Sequence, residues 1–262
     1  MKFSSRQVED IIIIPQYDWW SPTGPQGSLH KFNKVRANFI RKNLMNDAMP
    51  IETQEEYFSK FRVLDIGCGA GILSESLGRL GMGSVTGIDP TDKCVELAQA
   101  HLKLDADLAK KVTYKNTTVE ALIDEKFNTN NNQSPHKDEL YDLVCCSEVI
   151  EHVNDQQEFL RKCAKLVKPE TGYFFLSTIA KTPESYFLTI LMAEYVLRLV
   201  PKGTHEWNQY INVEDIEGAL SSQAFRTVAK AGAMVTNPLT MEMDEFPNWL
   251  RGNYMILSKR LI

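Results

Sequence analysis

Phe61-Arg62-Val63-Leu64-Asp65-Ile66-Gly67-Cys68-Gly69-Ala70-Gly71-Ile72-Leu73-Ser74 is the stretch on which the reading of this chain turns. An apolar run, Arg62 to Ile66, enters three glycines at alternate positions, and a helical pattern opens at Ile72. Glycines after a strand let the backbone turn sharply and approach a ligand closely, at the sheet edge where doubly wound folds bind nucleotides. A dinucleotide fingerprint wants its third glycine one position later, where this chain has Ile72. Asp65 also disfavours a pyrophosphate, because a carboxylate there repels phosphate and suits a cofactor carrying an ammonium and a sulfonium. Asp89 ends the next apolar run, Val85-Thr86-Gly87-Ile88, where a carboxylate can accept both hydroxyls of a ribose. The expected ligand is S-adenosylmethionine, with Asp65, Gly67, Gly69 and Asp89 in its site, and the expected activity is methyl transfer.

Outward from the loop, apolar runs alternate with helical patterns. Strands are expected at Arg62 to Ile66, Ser84 to Ile88, Lys111 to Lys115, Tyr141 to Cys146 and Tyr173 to Ser177. Helices are expected at Leu29 to Leu44, Ile72 to Leu80, Asp92 to Leu104 and Asp155 to Leu166. Such alternation means an α/β fold, a doubly wound Rossmann-like parallel sheet with helices on both faces. Residues 1–58 read as an N-terminal arm, with aromatic Tyr17, Trp19 and Trp20 among prolines, and a lead-in helix packing on the core. Residues 59–262 read as the catalytic domain, with an apolar insertion at 181–212. The polar run Asn128 to Pro135 reads as a surface loop.

The bulk numbers exclude more than they establish. The chain has 262 residues and a net charge of −5, with no basic stripe, so nucleic acid is not an expected partner. Five cysteines without a C-x-x-C pair fit neither a zinc knuckle nor a disulfide framework and imply a reducing compartment. The early run Ile11 to Ile14 follows Glu9-Asp10 and is too short for a signal core.

The run ending at Cys146 leads into Ser147-Glu148-Val149-Ile150-Glu151-His152-Val153. If a helical turn follows, Glu148, Glu151 and His152 stand at i, i+3 and i+4, on one face beside the cofactor. Two carboxylates and an imidazole can hold a divalent ion; oxygen donors suit Mg²⁺, and the imidazole suits Mn²⁺ or Zn²⁺. Alternatively His152 serves as a general base without metal. Ser185 to Val200 is apolar nearly all round, with Glu194 and Arg198 its charges. It is shorter than the roughly 20 residues of a bilayer span. It reads either as a buried cap helix or as a lid that lines a lipid pocket or dips into a membrane surface. Lys202 and His205 follow it and offer a second, weaker histidine.

Several of these stretches together resemble the ubiquinone-biosynthesis O-methyltransferase family, class I S-adenosylmethionine-dependent enzymes acting on catechol hydroxyls of polyprenylated rings. The matching residues are Trp19-Trp20, Leu29 to Asn33 with Arg36, Leu64 to Gly69 and Gly71 to Ser76, and Glu148 to Val153. Leu166 to Pro169, Phe174 to Thr178, Ala193 to Tyr195, Val200 to His205 and Gly252 to Tyr254 extend the match over nearly the whole chain. The resemblance implies that Arg36, Gly67, Asp89 and Ser147 contact the cofactor, Arg36 through its carboxylate. It implies that Glu148, Glu151 and His152 hold a divalent ion, commonly Mg²⁺, as the catalytic group. It also implies a peripheral protein on the matrix side of the mitochondrial inner membrane, within a complex of other ubiquinone-biosynthesis proteins. Residues 1–15 lack transit-peptide character, so a mature form, a shortened gene product or a bacterial-like cytoplasmic or plasma-membrane member is expected. Ala70 and Ser147 stand where Gly and Met are commoner in that family. Rival readings are a nicotinamide oxidoreductase, a methyltransferase of another small phenol or lipid, and a non-catalytic membrane-associated subunit of this fold.

Overall fold

Buried on both sides, the central strands need a hydrophobic layer above and below, and the chain supplies two. The computed structural model describes residues 19–21, 24, 27–45, 51–128, 137–187, 206–237 and 240–262. Its strands are β1 (Arg62–Ile66), β2 (Ser84–Asp89), β3 (Val112–Asn116), β4 (Leu143–Ser147), β5 (Tyr173–Ile179), β6 (Phe225–Asn237), β7 (Glu242–Phe246) and β8 (Asn253–Arg260). They form one sheet in the order β3-β2-β1-β4-β5-β8-β6-β7. The first five run parallel, and β8 pairs antiparallel with both β5 and β6.

Successive strand residues point to opposite faces, and the two cores divide on that alternation. Val63, Cys145, Phe175, Met255 and Leu257 face one core. Leu64, Ile66, Val144, Cys146, Phe174, Leu176 and Ile256 face the other. The helices are α1 (Gly27–Leu44), α2 (Ile51–Phe58), α3 (Ile72–Arg79), α4 (Asp92–Leu102), α5 (Val119–Asn128), α6 (Gln156–Lys165) and α7 (Val213–Ser221). The first core is closed by Phe32, Phe39 and Ile40 of α1, Phe58 of α2, Leu77 of α3 and Val95 of α4. The second is closed by Leu122 of α5, Leu160 of α6 and Ile216 of α7. The doubly wound reading therefore holds, and α1 belongs to the same core as the sheet.

Two groups of elements escaped the sequence reading: α2, α5 and α7, and all three strands after β5. β7, with Glu242, Asp244 and Glu245, is an acidic edge strand lacking an apolar run, as edge strands that resist pairing are. β6 buries only part of its length and so shows little alternation. Strand β4 also ends one residue later than expected and takes in Ser147, with Tyr141 joined to Val167 by an isolated bridge. Residues 129–136, 1–18 and 188–205 lie outside the described residues. The polar loop, most of the apolar segment Ser185 to Val200, and Lys202 and His205 fall there.

Candidate active site

The order β2-β1-β4 places a topological switch between β1 and β4, and the crevice at the carboxyl ends of strands at such a point is where open α/β sheets bind ligands. The glycine loop sits there. Gly67, Gly69 and Gly71 have φ of 70°, 53° and 88°, a region costly for residues with a Cβ. At Gly67 a Cβ would lie 2.4 Å from a methyl of Val149, and at Gly71 2.2 Å from the Tyr114 hydroxyl oxygen. Gly71 caps α3, so the helix begins where the glycine loop ends.

Asp89 reaches back over the loop: its carboxylate accepts from the Gly69 N–H at 3.0 Å and the Thr91 N–H at 2.8 Å. Asp65, only 2% exposed, accepts from the Ser74 hydroxyl at 2.6 Å. Burial pushes the Asp65 carboxyl up to about 6, with the Ser74 bond and Arg36 opposing. Burial raises Asp89 as well.

Arg36 comes from α1, which Asn33 ties to α3 through the Ile72 carbonyl and the Ser76 hydroxyl, at 3.2 and 2.7 Å. Its guanidinium is buried over the Phe32 ring, 4.7 Å from the centroid. It donates to the Ser147 hydroxyl, while its Nε has no partner among the described residues. An orphaned buried N–H on an arginine is costly unless a ligand takes it. A carboxylate is the natural taker, since the guanidinium fork matches it. Burial lowers the proton affinity of Arg36, and Glu148, Asp65 and Glu151 counter that with their charge.

Glu148 and Glu151 form the opposite wall. Glu148 has φ of 55°, a strained conformation for a residue with a Cβ and one that clusters at functional sites. Its Oε1 accepts from the Ser177 hydroxyl at 2.8 Å, and its backbone N–H donates to the Ser177 carbonyl at 2.9 Å. Asn253 of β8 approaches Oε2 at 3.5 Å. Glu151 accepts from the Thr178 hydroxyl at 2.9 Å. Burial pushes both carboxyls up to about 7; at Glu148 the Glu151 charge adds to this and Arg36 opposes it.

The one-face reading of Glu148, Glu151 and His152 is corrected here. It required a helix starting at Glu148, but the left-handed Glu148 breaks the path, and a single 3-10 turn spans Ile150–His152. His152 is exposed, near enough to help hold Glu148 ionised. Among the described residues no three His, Cys, Asp or Glu side chains are gathered to hold a metal. The site thus brings together Arg36, Asp65, Ser147, Glu148 and Glu151 beside the Gly67, Gly69 and Asp89 loop, with His152 at its rim.

Sequence reasoning gave no role to Ser74, Ser177, Thr178 or Asn253, which orient the carboxylates. A serine or threonine at the carboxyl end of a strand is too common to stand out. The available signal was the polar Ser177-Thr178 ending an otherwise apolar β5.

A methyltransferase-domain family profile matches residues 31–230. The chain is 38% identical to the mitochondrial ubiquinone biosynthesis O-methyltransferase of Dictyostelium discoideum, over 91% of this chain and 73% of that protein. It is 37% identical to the protein of the same name from Homo sapiens, over 86% of this chain, and spans 57% of that relative's length. Among solved structures it superposes on magnesium protoporphyrin IX methyltransferase of Synechocystis with bound SAH. The TM-score is 0.52 and the identity 18%, over 89% of this chain and 99% of that one, a likeness of fold. The crevice, its glycine loop and the breadth of the sequence match agree: the chain is an S-adenosylmethionine-dependent methyltransferase and belongs to the ubiquinone biosynthesis O-methyltransferase family.

Proposed function

We propose that the chain moves a methyl group from S-adenosylmethionine to a catechol hydroxyl of a polyprenylated ring intermediate in ubiquinone biosynthesis. The observation that carries the reading is the carboxylate pair of half-buried Glu148 and buried Glu151 beside the Arg36 charge, with proton affinity raised to about 7. A methyl on sulfonium needs no activation, so the protein must bring a phenolic oxygen into line with it and draw off its proton. Arg36 binds the methionine carboxylate, Asp65 faces the ammonium and Asp89 takes the ribose hydroxyls. The oxygen lone pair then forms the O–CH₃ bond while the S–CH₃ pair returns to sulfur, leaving S-adenosylhomocysteine.

Glu148 and Glu151, with His152 as a third donor, would hold a divalent ion such as Mg²⁺. Two carboxylates and an imidazole suit such an ion by donor type, but the three side chains are not gathered around one point among the described residues. When bound, such an ion lowers the pKa of the catechol oxygens. A second reading is favoured by the failure of His152 to converge with the carboxylates: ionised Glu148 itself accepts the catechol proton. Methyl transfer from labelled S-adenosylmethionine to a prenylated catechol, with and without chelator, separates the two. Loss of activity with chelator supports the ion, activity indifferent to it leaves Glu148 as proton acceptor, and no transfer to any prenylated catechol overturns the substrate reading.

The tail of the substrate has an apolar groove available. After β5, Pro183, Phe187 and Trp249 line a cleft of about 380 Å³ with Glu184, and Tyr186 and Phe187 are about half exposed. Among the described residues no helix is long and apolar enough to cross a membrane. We assign the chain to the matrix face of the mitochondrial inner membrane, held peripherally through residues 185–200 and in contact with other proteins of the pathway. The mitochondrial names of the two relatives support the mitochondrial part of this assignment, and a bacterial-like member would sit in the cytoplasm or on the plasma membrane instead.

Cofactor affinity should depend on pH in a way that isolates Asp65. Its folded-state carboxyl titrates near 6 rather than 3.8, so between those values the folded protein holds a proton that the unfolded chain has lost. Stability therefore falls as pH rises through that window, and a cationic cofactor, which favours the ionised form, offsets the cost. Affinity for S-adenosylhomocysteine, which keeps the ammonium, should be level above neutrality and weaken below pH 6, approaching tenfold per pH unit. Calorimetry across this range checks it, and Asp65→Asn should flatten the profile.

A further inference from the structure

We propose that Trp19 and Trp20 are donor-site residues: a strap lying across the glycine loop that seals the bound cofactor and sets how fast it leaves. The proposal rests on the reading that this loop holds S-adenosylmethionine. Trp19 lies directly on the loop, two of its ring carbons 3.2 Å from where a Cβ on Gly69 would stand. Gly69 is also the residue whose N–H fixes the Asp89 carboxylate. The indole therefore covers the backbone that orients the ribose-binding acid, and a side chain at position 69 would lift it away.

Trp20 anchors the strap. Its ring is stacked on His101 of α4 with centroids 3.4 Å apart and planes within 2°, and it meets His30 of α1 at 5.8 Å in a tilted contact. His101 is itself fixed, since its Nδ1 donates at 2.9 Å to Glu75, a carboxylate fully buried on α3 and ion-paired with Arg79. His30 Nε2 donates to the Trp19 carbonyl at 2.8 Å. Contacts traced to three helices thus hold Trp20 and the backbone of Trp19, and the Trp19 indole lies over the loop. Both indoles are partly exposed and, among the described residues, lie outside the two cores that cover the sheet. A closure held by ring contacts and hydrogen bonds of this kind can persist and still open for exchange.

The test is the dissociation rate of S-adenosylhomocysteine from the full chain by stopped flow. Trp20→Ala should speed dissociation about 5- to 10-fold, the loss of one aromatic stack, with association changed less. Trp20→Phe, which keeps a flat ring on His101, should stay within about twofold. A folded Trp20→Ala protein, its melting temperature unchanged, that releases the ligand at the wild-type rate would overturn the strap. If Trp20→Ala does not fold, a Trp207→Phe, Trp249→Phe protein decides, because only Trp19 and Trp20 then emit. Their fluorescence must change on saturation, and unchanged emission overturns the proposal. Failure of the wild type to bind S-adenosylhomocysteine in calorimetry would instead overturn the donor reading itself, and the strap with it.

Discussion

Glu148→Gln should lower methyl transfer by about 10²- to 10⁴-fold, the range lost with a positioned acid–base group, while affinity for S-adenosylhomocysteine stays within about threefold. The substitution keeps the side chain's size and its acceptance from Ser177, so it removes charge and little else. Glu148 lies on the acceptor side, and its side chain bonds to Ser177 and Asn253 rather than to the glycine loop, which is why donor affinity is spared. Stability should hold or rise, because a neutral amide escapes the burial that pushes this carboxyl up to about 7. Turnover assays paired with calorimetry and thermal melting check all three parts. Wild-type turnover in this variant would remove Glu148 from both the ion-holding and the proton-accepting roles.

Arg36→Ala should act on the other half of the site and should cost both binding and stability. A charge-assisted hydrogen bond contributes roughly 1.5–3 kcal/mol, so losing the contact with the methionine carboxylate weakens binding by about 10- to 100-fold. The stability loss has a separate origin. Asp65, Glu148 and Glu151 all lie near the Arg36 charge, and removing it leaves buried Asp65 and Glu151 and half-buried Glu148 without their compensating cation. Breaking a buried charge pair typically destabilises by about 3–5 kcal/mol. A large drop in melting temperature together with weakened S-adenosylhomocysteine binding is the expected pair of results. Arg36→Lys should recover more of the stability than of the affinity, since an ammonium restores the charge and lacks the fork. Equal affinity in all three proteins would show that the carboxylate is bound elsewhere.

These two variants separate the donor and acceptor walls, yet hydroxyls join the walls. Arg36 donates to Ser147, Ser147 lies 2.8 Å from Ser177, and Ser177 donates to Glu148. An arginine can only donate and an ionised carboxylate only accept, so the hydrogens must run in one direction along this row. Ser147 was expected as a cofactor contact; the structure places its hydroxyl in this row, between Arg36 and Ser177.

What the sequence by itself determined is the donor half. Asp65, the alternate glycines and Asp89 are local features: a strand end, a turn and a second strand end, each fixed by its neighbours in the chain. Their left-handed backbone and their apolar strands follow from residue type alone, and β1 has the limits its apolar run indicates. Only the tertiary structure decided the acceptor half and the strap. The spacing of Glu148, Glu151 and His152 suggested a helix face, but pairing of β4 with β5 carries the strand through Ser147, and Glu148 is turned to meet Ser177. Trp20 meets His101, and Arg36 meets Ser147, across long separations in the chain. Such contacts are set by how helices pack on the sheet, and the pattern of residues along a single strand or helix carries no record of them.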